Sequence, residues 1–396
     1  MKALCRIALM AVAQLIVIST VTSAVEIFSA GLQVPETLSL APISFGMYGG
    51  NYFVPDPGGG ASQLWIVPPS GGAPVAVAND TAQGFAMKDW KGGMFLPADY
   101  GVHGGKYLMT TQYGLAGFDS SGTLSTITNQ STLGFAGDGF LIRPSAFTTP
   151  GMAPNAFGSN GGKVFATYQS TEYWHSYPLD PFDPFSELVY EFQFQGDGGI
   201  GVLNPNGTYQ PFRRVTFSDT GNQNHSAPFG MTWSPAEFGD FDDRLLVSSA
   251  SSGDIVALDE TGTQSDFTQI ALRPGERGLR QMSFVPEGFD HLTGLLLVSV
   301  SGSQQGGGAL GRLLALTASG QIAYELRLGS EFDKFDPRGV AFTADGRILV
   351  NDASDPIYIF DTDEFVAVPE PSSFALLSLA LVALGWKCRR SRMTQI

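Results

Sequence analysis

The sharpest chemical pattern in this 396-residue chain lies near its carboxyl end. Pro369-Glu370-Pro371 is followed by two serines and an apolar run from Phe374 to Trp386. Lys387, Arg389, Arg390 and Arg392 come directly after it. Two prolines around a glutamate do not fit inside a helix or a strand, so the backbone there is extended and open to a protease. The apolar run is short for a stable bilayer span, and the basic cluster holds the chain end on the cytoplasmic side. Such a segment reads as a stop-transfer tail behind a protease-accessible hinge, recognised and removed much as a GPI signal is.

This order of parts resembles the PEP-CTERM sorting signal of Gram-negative bacteria, over Val368 to Arg392. The resemblance implies an exosortase-like membrane protease or transpeptidase as partner, acting near Pro369–Pro371. It also implies transient inner-membrane anchoring through 374–386, then release to the cell surface or an exopolysaccharide matrix. The amino end agrees. Lys2 and Arg6 precede an apolar core from Ile7 to Ile18, and Thr22-Ser23-Ala24 ends in small residues, which places signal-peptide cleavage after Ala24. The alternative is an uncleaved anchor, but about 12 apolar residues rise only ~18 Å against a ~30 Å hydrocarbon core. The expected organisation is a signal peptide at 1–24, a globular domain at 25–367, and a sorting segment at 368–396 that ends in a short hydrophobic helix and a basic tail.

The other candidate chemistry is thinner. Gly196-Asp197-Gly198-Gly199-Ile200-Gly201 spells a dinucleotide fingerprint, but Val202-Leu203-Asn204-Pro205 follows where a helix must start, so it reads as a turn. The histidines are His103, His175, His225 and His291, and no two stand at metal-ligand spacing. His225 precedes an expected innermost strand and is a candidate for a channel mouth. Asp240, Asp242 and Asp243 form one acidic cluster, Asp352 and Asp355 a second, and Asp361, Asp363 and Glu364 a third. None follows the twelve-residue calcium loop, and Asp is a common turn residue, so a structural calcium is the one cofactor left open. The segment from Glu172 to Phe185 holds Tyr173, Trp174, His175 and Tyr177 among three prolines. It reads as an inserted, exposed loop, too rich in proline for a strand interior. Its aromatic faces suit sugar rings, so it is the candidate ligand loop; a loop packing its own rings against the domain is the competing reading.

Composition narrows what carries these features. Glycine (49) and proline (24) are too abundant for a helical bundle, while 43% hydrophobic residues exclude global disorder. The net charge of −15 argues against a nucleic-acid partner. With the two end segments set aside, 16 basic residues face 36 acidic ones, and both cysteines are gone. The domain must therefore stand on its core alone, without disulfides.

Short apolar runs between Gly- and Asp-containing turns recur along it. Leu245-Leu246-Val247-Ser248, Leu296-Leu297-Val298-Ser299 and Ile348-Leu349-Val350-Asn351 form one set, with looser copies at Tyr52-Phe53-Val54, Tyr107-Leu108-Met109-Thr110 and Val164-Phe165-Ala166-Thr167. Anchors at Tyr52, Leu108, Phe165, Leu246, Leu297 and Leu349 are spaced by 56, 57, 81, 51 and 52 residues. Four short strands per unit at that period predict an all-β fold, a β-propeller of six four-stranded blades, with Val164–Thr167 pairing Leu188–Phe192 in the third. A strand from Glu26-Ile27-Phe28 or Val34–Leu40 is expected to close the blade that ends near Phe365. Five or seven blades, a β-helix or a pair of β-sandwiches use the same strands. The pattern resembles six-bladed NHL- and gluconolactonase-like propellers. The leading functional expectation is an exported, non-enzymatic binding or structural module associated with exopolysaccharide. An exported propeller enzyme, such as a metal-dependent lactonase or sugar-acid hydrolase, is the alternative, and it rests on fold analogy alone.

Overall fold

The computed structural model describes residues 26–368, apart from 59–60, 86, 88, 113, 130–132, 135–140, 143–146, 170, 179–187, 196–197, 219–226, 303–309, 330–331, 333 and 354–355. Ala24, the apolar run 374–386 and the sorting residues Pro369, Glu370, Pro371, Lys387, Arg389, Arg390 and Arg392 lie outside the described residues. Glu26–Val366 forms one compact unit.

That unit is a β-propeller of six blades. Blade 1 runs from Ser39–Leu40 at the axis through Tyr52–Asp56 and Gln63–Val67 to Val75–Asn79 at the rim. The inner strands of blades 2 to 6 are Gly93–Phe95, Phe147–Met152, Pro228–Trp233, Gly278–Phe284 and Pro337–Phe342. Their second strands are Tyr107–Thr111, Val164–Tyr168, Leu245–Ser249, Leu296–Ser301 and Ile348–Asp352. Second strands such as Leu296–Ser301 are buried throughout, because each blade is covered on both faces by its neighbours. Rim strands such as Gln264–Gln269 are mostly exposed or half-buried, with Phe267 alone buried, since their outer edge meets water.

The ring is closed by the expected amino-terminal strand. Glu26–Ser29 pairs antiparallel with Ile357–Phe360 as the rim strand of blade 6. Phe365–Ala367 does not finish that blade; it adds a fifth strand to the rim of blade 5. The first anchor also moves by one residue. Phe53, not Tyr52, is equivalent to Leu108, Phe165, Leu246, Leu297 and Leu349, because Tyr52 pairs with Leu40 as Tyr107 pairs with Phe95. A one-residue slip in a strand exchanges its two faces, so the correction matters to the core.

Blade 3 departs from its expected pairing. Val164–Tyr168 pairs with Gly199–Leu203, the very glycine-rich stretch read as a turn. The intervening chain forms a separate two-stranded arm in which Thr171–Pro178 pairs with Leu188–Gln195. Tyr173, Trp174, His175 and Tyr177 therefore sit in a strand, opposite Gln193, Phe192, Glu191 and Val189. Of the prolines that argued against a strand, Pro178 is its last residue, and Pro181 and Pro184 lie outside the described residues.

Five blades join their inner and second strands by the same device. A proline, two residues, an aromatic and then Gly or Asp occur at Pro42–Gly46, Pro97–Gly101, Pro154–Gly158, Pro235–Gly239 and Pro286–Asp290. The aromatics Phe45, Tyr100, Phe157, Phe238 and Phe289 are buried and each leads into a 3-10 turn. The residue after each has φ between 46° and 61°, a left-handed backbone that Gly tolerates and Asp accepts at modest cost.

Candidate functional site

The candidate site is the wall of the central channel, built by a bulge in the inner strands of blades 3 to 6 and by the residues just before those of blades 1 and 2. Register shifts leave Thr148-Thr149, Phe229-Gly230, Arg280-Gln281 and Arg338-Gly339 as extra pairs in blades 3 to 6. Glu36-Thr37 and Lys91-Gly92 occupy the same level in blades 1 and 2, where the Glu36 and Lys91 amides donate to Pro55 and Thr110 carbonyls. A bulge inserts an unpaired residue and re-aims its side chain, which is why such positions carry chemistry.

Facing each bulge, the second strand of the blade supplies Pro55, Thr110, Thr167, Ser248, Ser299 or Asn351. The polar five are fully buried. Three of them stitch neighbouring blades. Thr110 Oγ1 accepts from the Gly92 amide at 2.6 Å and donates to the Thr148 carbonyl at 2.8 Å. Thr167 Oγ1 accepts from Thr149 at 3.0 Å and donates to Phe229 at 2.7 Å. Ser248 Oγ accepts from Gly230 at 3.0 Å and donates to Arg280 at 2.7 Å. A hydroxyl fits this task because one oxygen both accepts and donates. Elsewhere Thr37 Oγ1 donates to Lys91, and the Val340 amide donates to Gln281 Oε1. The stitch is incomplete on one side. Ser299 Oγ and both side-chain polar atoms of Asn351 are buried without a hydrogen-bond partner among the described residues.

That same side holds the channel's charges. Glu36 and Arg338 are buried and stand 4.0 Å apart. Arg338 Nη2 also donates to Asp336 at 2.8 Å, and Asp336 accepts from Ser301 and the Gly302 amide. Burial pushes the Glu36 carboxyl up from its ordinary range, against the pull of Arg338, Lys91 and Arg280. Arg338 is held up by Glu36 and Asp336 in spite of its burial. Arg280 is the exception. Its guanidinium lies over the Phe229 ring at 4.8 Å and reaches Ser301 at 3.5 Å. Burial and the like charge of Arg338 bring it down to about 9. Lys91 is paired with Asp89 at 3.2 Å.

Sequence reasoning missed this ring. Its trace was the Thr, Ser or Asn in the apolar runs of blades 2 to 6, and the Glu, Lys or Arg at the bulge level of blades 1, 2, 5 and 6. Of the residues singled out, Asp352 does reach the ring: it is buried, accepts from the Asp336 amide at 3.3 Å and acts on Arg338; the others do not converge on it. The backbone of Tyr173, Trp174, His175 and Tyr177 is in the blade 3 arm, and His225 and Asp355 lie outside the described residues. Asp240 belongs to a 3-10 turn, and Asp361, Asp363 and Glu364 build a capped turn at the rim. No group of three or more His, Cys, Asp or Glu that could hold a metal occurs among the described residues. Beyond the opposite ends of the inner strands, blades 6, 1 and 2 enclose a cleft of about 920 Å³ lined mainly by apolar groups, among them Phe28, Leu40, Ile43 and Phe95.

The fold defines a six-bladed β-propeller. A protein assigned as a gluconolactonase superposes with a TM-score of 0.50 at 14% identity, covering 88% of this chain and 95% of its own. A gluconolactonase from Xanthomonas campestris gives 0.50 at 12% identity, covering 84% and 88%. At such identities the likeness is one of fold. No curated protein matches the chain in sequence. Residues 367–390 match the PEP-CTERM protein-sorting motif, so this propeller carries that sorting signal. No helix among the described residues is long and apolar enough to cross a membrane.

Proposed function

We propose that the chain is exported as a membrane-anchored precursor and delivered to the cell surface or extracellular matrix, where its propeller serves as a non-enzymatic binding module. The sorting motif at 367–390 carries this reading. The amino-terminal signal is removed after Ala24, the apolar stretch 374–386 holds the precursor in the inner membrane, and an exosortase-type enzyme cuts near Pro369-Glu370-Pro371. The basic residues Lys387, Arg389, Arg390 and Arg392 keep the tail cytoplasmic until then.

The propeller suits the destination. Second strands run antiparallel to inner ones, so the blade 3 arm leaves the ring at the end where the inner strands begin, the end that carries the bulge ring. Tyr173, Trp174, His175 and Tyr177 on that arm are the proposed contacts for exopolysaccharide. The lactonase alternative draws on fold likeness alone.

The test is retention on purified exopolysaccharide from a matrix-forming Gram-negative host. Retention that weakens when Tyr173 and Trp174 are replaced by alanine supports the reading. Loss of retention at every salt and calcium level, or turnover of sugar lactones, contradicts it.

A further inference from the structure

The wall of the channel between blades 5, 6 and 1 concentrates polar atoms that nothing in the described chain satisfies. Glu36 Oε2, Arg280 Nε, Arg338 Nε, Ser299 Oγ, Asn351 Nδ2 and Asn351 Oδ1 are all buried and unpartnered. Buried polar groups almost always find a partner, and a cluster that lacks one within the protein is a place where something else supplies it. Water satisfies an amide or a hydroxyl. It does not neutralise a guanidinium.

Charge separates the two arginines. Arg338 has Asp336 at 2.8 Å and Glu36 at 4.0 Å. No carboxylate makes an ion pair with Arg280 among the described residues; its partners are a serine hydroxyl and the face of Phe229. An arginine otherwise placed shows the contrast: Arg312 is clamped by both oxygens of Glu276, at 2.6 and 2.8 Å. Arg280 is half-buried and reaches no carboxylate directly, so its charge is offset only at a distance, by Glu36 and Asp336. Consistent with this, its proton is held less tightly than usual.

We propose that this side of the channel is a binding site for a small carboxylate monoanion, seated on the fork of Arg280. The free Nε–H of Arg280 beside its terminal N–H groups forms the planar pair of donors that a carboxylate meets with both oxygens. Arg338, the strongest like charge acting on Arg280, adds attraction through its own free Nε–H. Ser299 and the Asn351 amide supply neutral donors to the same wall. Glu36 and Asp336 stand close enough to act on Arg280, so a dianion such as phosphate is repelled where a monoanion is tolerated. This inference deepens the binding-module reading and rests on it, yet its readout is independent of sorting and of polysaccharide retention.

The experiment uses the full-length chain in mild detergent, with thermal unfolding followed by tryptophan fluorescence at constant ionic strength. The probes are acetate, inorganic phosphate and chloride. A saturable rise in melting temperature with acetate, absent with chloride and smaller with phosphate, is expected. Arg280→Gln abolishes it. Arg280→Lys keeps the charge, loses the fork, and weakens acetate about tenfold or more. Arg273→Gln, an exposed partner of Glu325, leaves it unchanged. If acetate acts no differently from chloride, the wall holds water only and the proposal is overturned. It is equally overturned if the acetate response survives in Arg280→Lys at full affinity, a variant that also serves if the glutamine form does not fold.

Discussion

The side-chain oxygen of Thr167 in blade 3 lies 2.7 Å from the carbonyl oxygen of Phe229 in blade 4. One hydroxyl thus ties the bulge of its own blade to that of the next, and the blades are joined at the axis by directed bonds as well as by apolar packing.

Thr167→Val keeps the shape and removes the bonds, leaving the Thr149 amide and the Phe229 carbonyl with fewer partners in a buried place. A loss of about 1–3 kcal/mol is expected from chemical denaturation. A variant as stable as the parent would show that the stitch is incidental.

The closure of the ring rests on packing rather than on charge. Phe28 is buried in the closing strand and meets Tyr52 edge-on at 5.8 Å. Phe28→Ala is expected to cost ~3–5 kcal/mol. In the same strand Glu26 pairs with Arg347 at 3.2 Å but is 65% exposed. Glu26→Gln is therefore expected to change stability by only about 0–1 kcal/mol. Equal effects from the two variants would contradict this division.

Glu36 gives a pH signature. Its carboxyl is raised in the folded state, so folding favours the protonated form. Its contribution is fully present below the ordinary glutamate value and is lost as pH rises through the raised one. Glu36→Gln cannot ionise, so its stability relative to the parent should be near parity in acid and should increase toward neutral pH. The check is the difference in melting temperature across that range; a difference independent of pH sinks the assignment.

Much of the fold was legible because repetition amplifies weak signals. Leu246, Leu297 and Leu349 repeat within near-constant intervals, and a buried blade strand needs an apolar run whatever its neighbours are. The blade 3 arm was not legible. Leu188–Phe192 looks as apolar as a blade strand, and only the competition for Val164–Tyr168, won by Gly199–Leu203, decides which segment is core. Small glycines there admit Tyr168 and Tyr209, whose rings crowd Gly199 and Gly201. The channel ring was hidden for a related reason. Arg280 and Arg338 look like surface residues in a sequence, and only the bulge turns them inward.

The central claim is that the propeller is cargo released by cutting at its carboxyl signal. The most direct measurement is fractionation of a host that carries an exosortase, expressing the parent chain and a variant with Pro369, Glu370 and Pro371 all changed to alanine. The parent is expected in the surface or extracellular fraction and shortened at its carboxyl end, with the variant folded but retained at the inner membrane. Release of both in equal amounts would contradict the account.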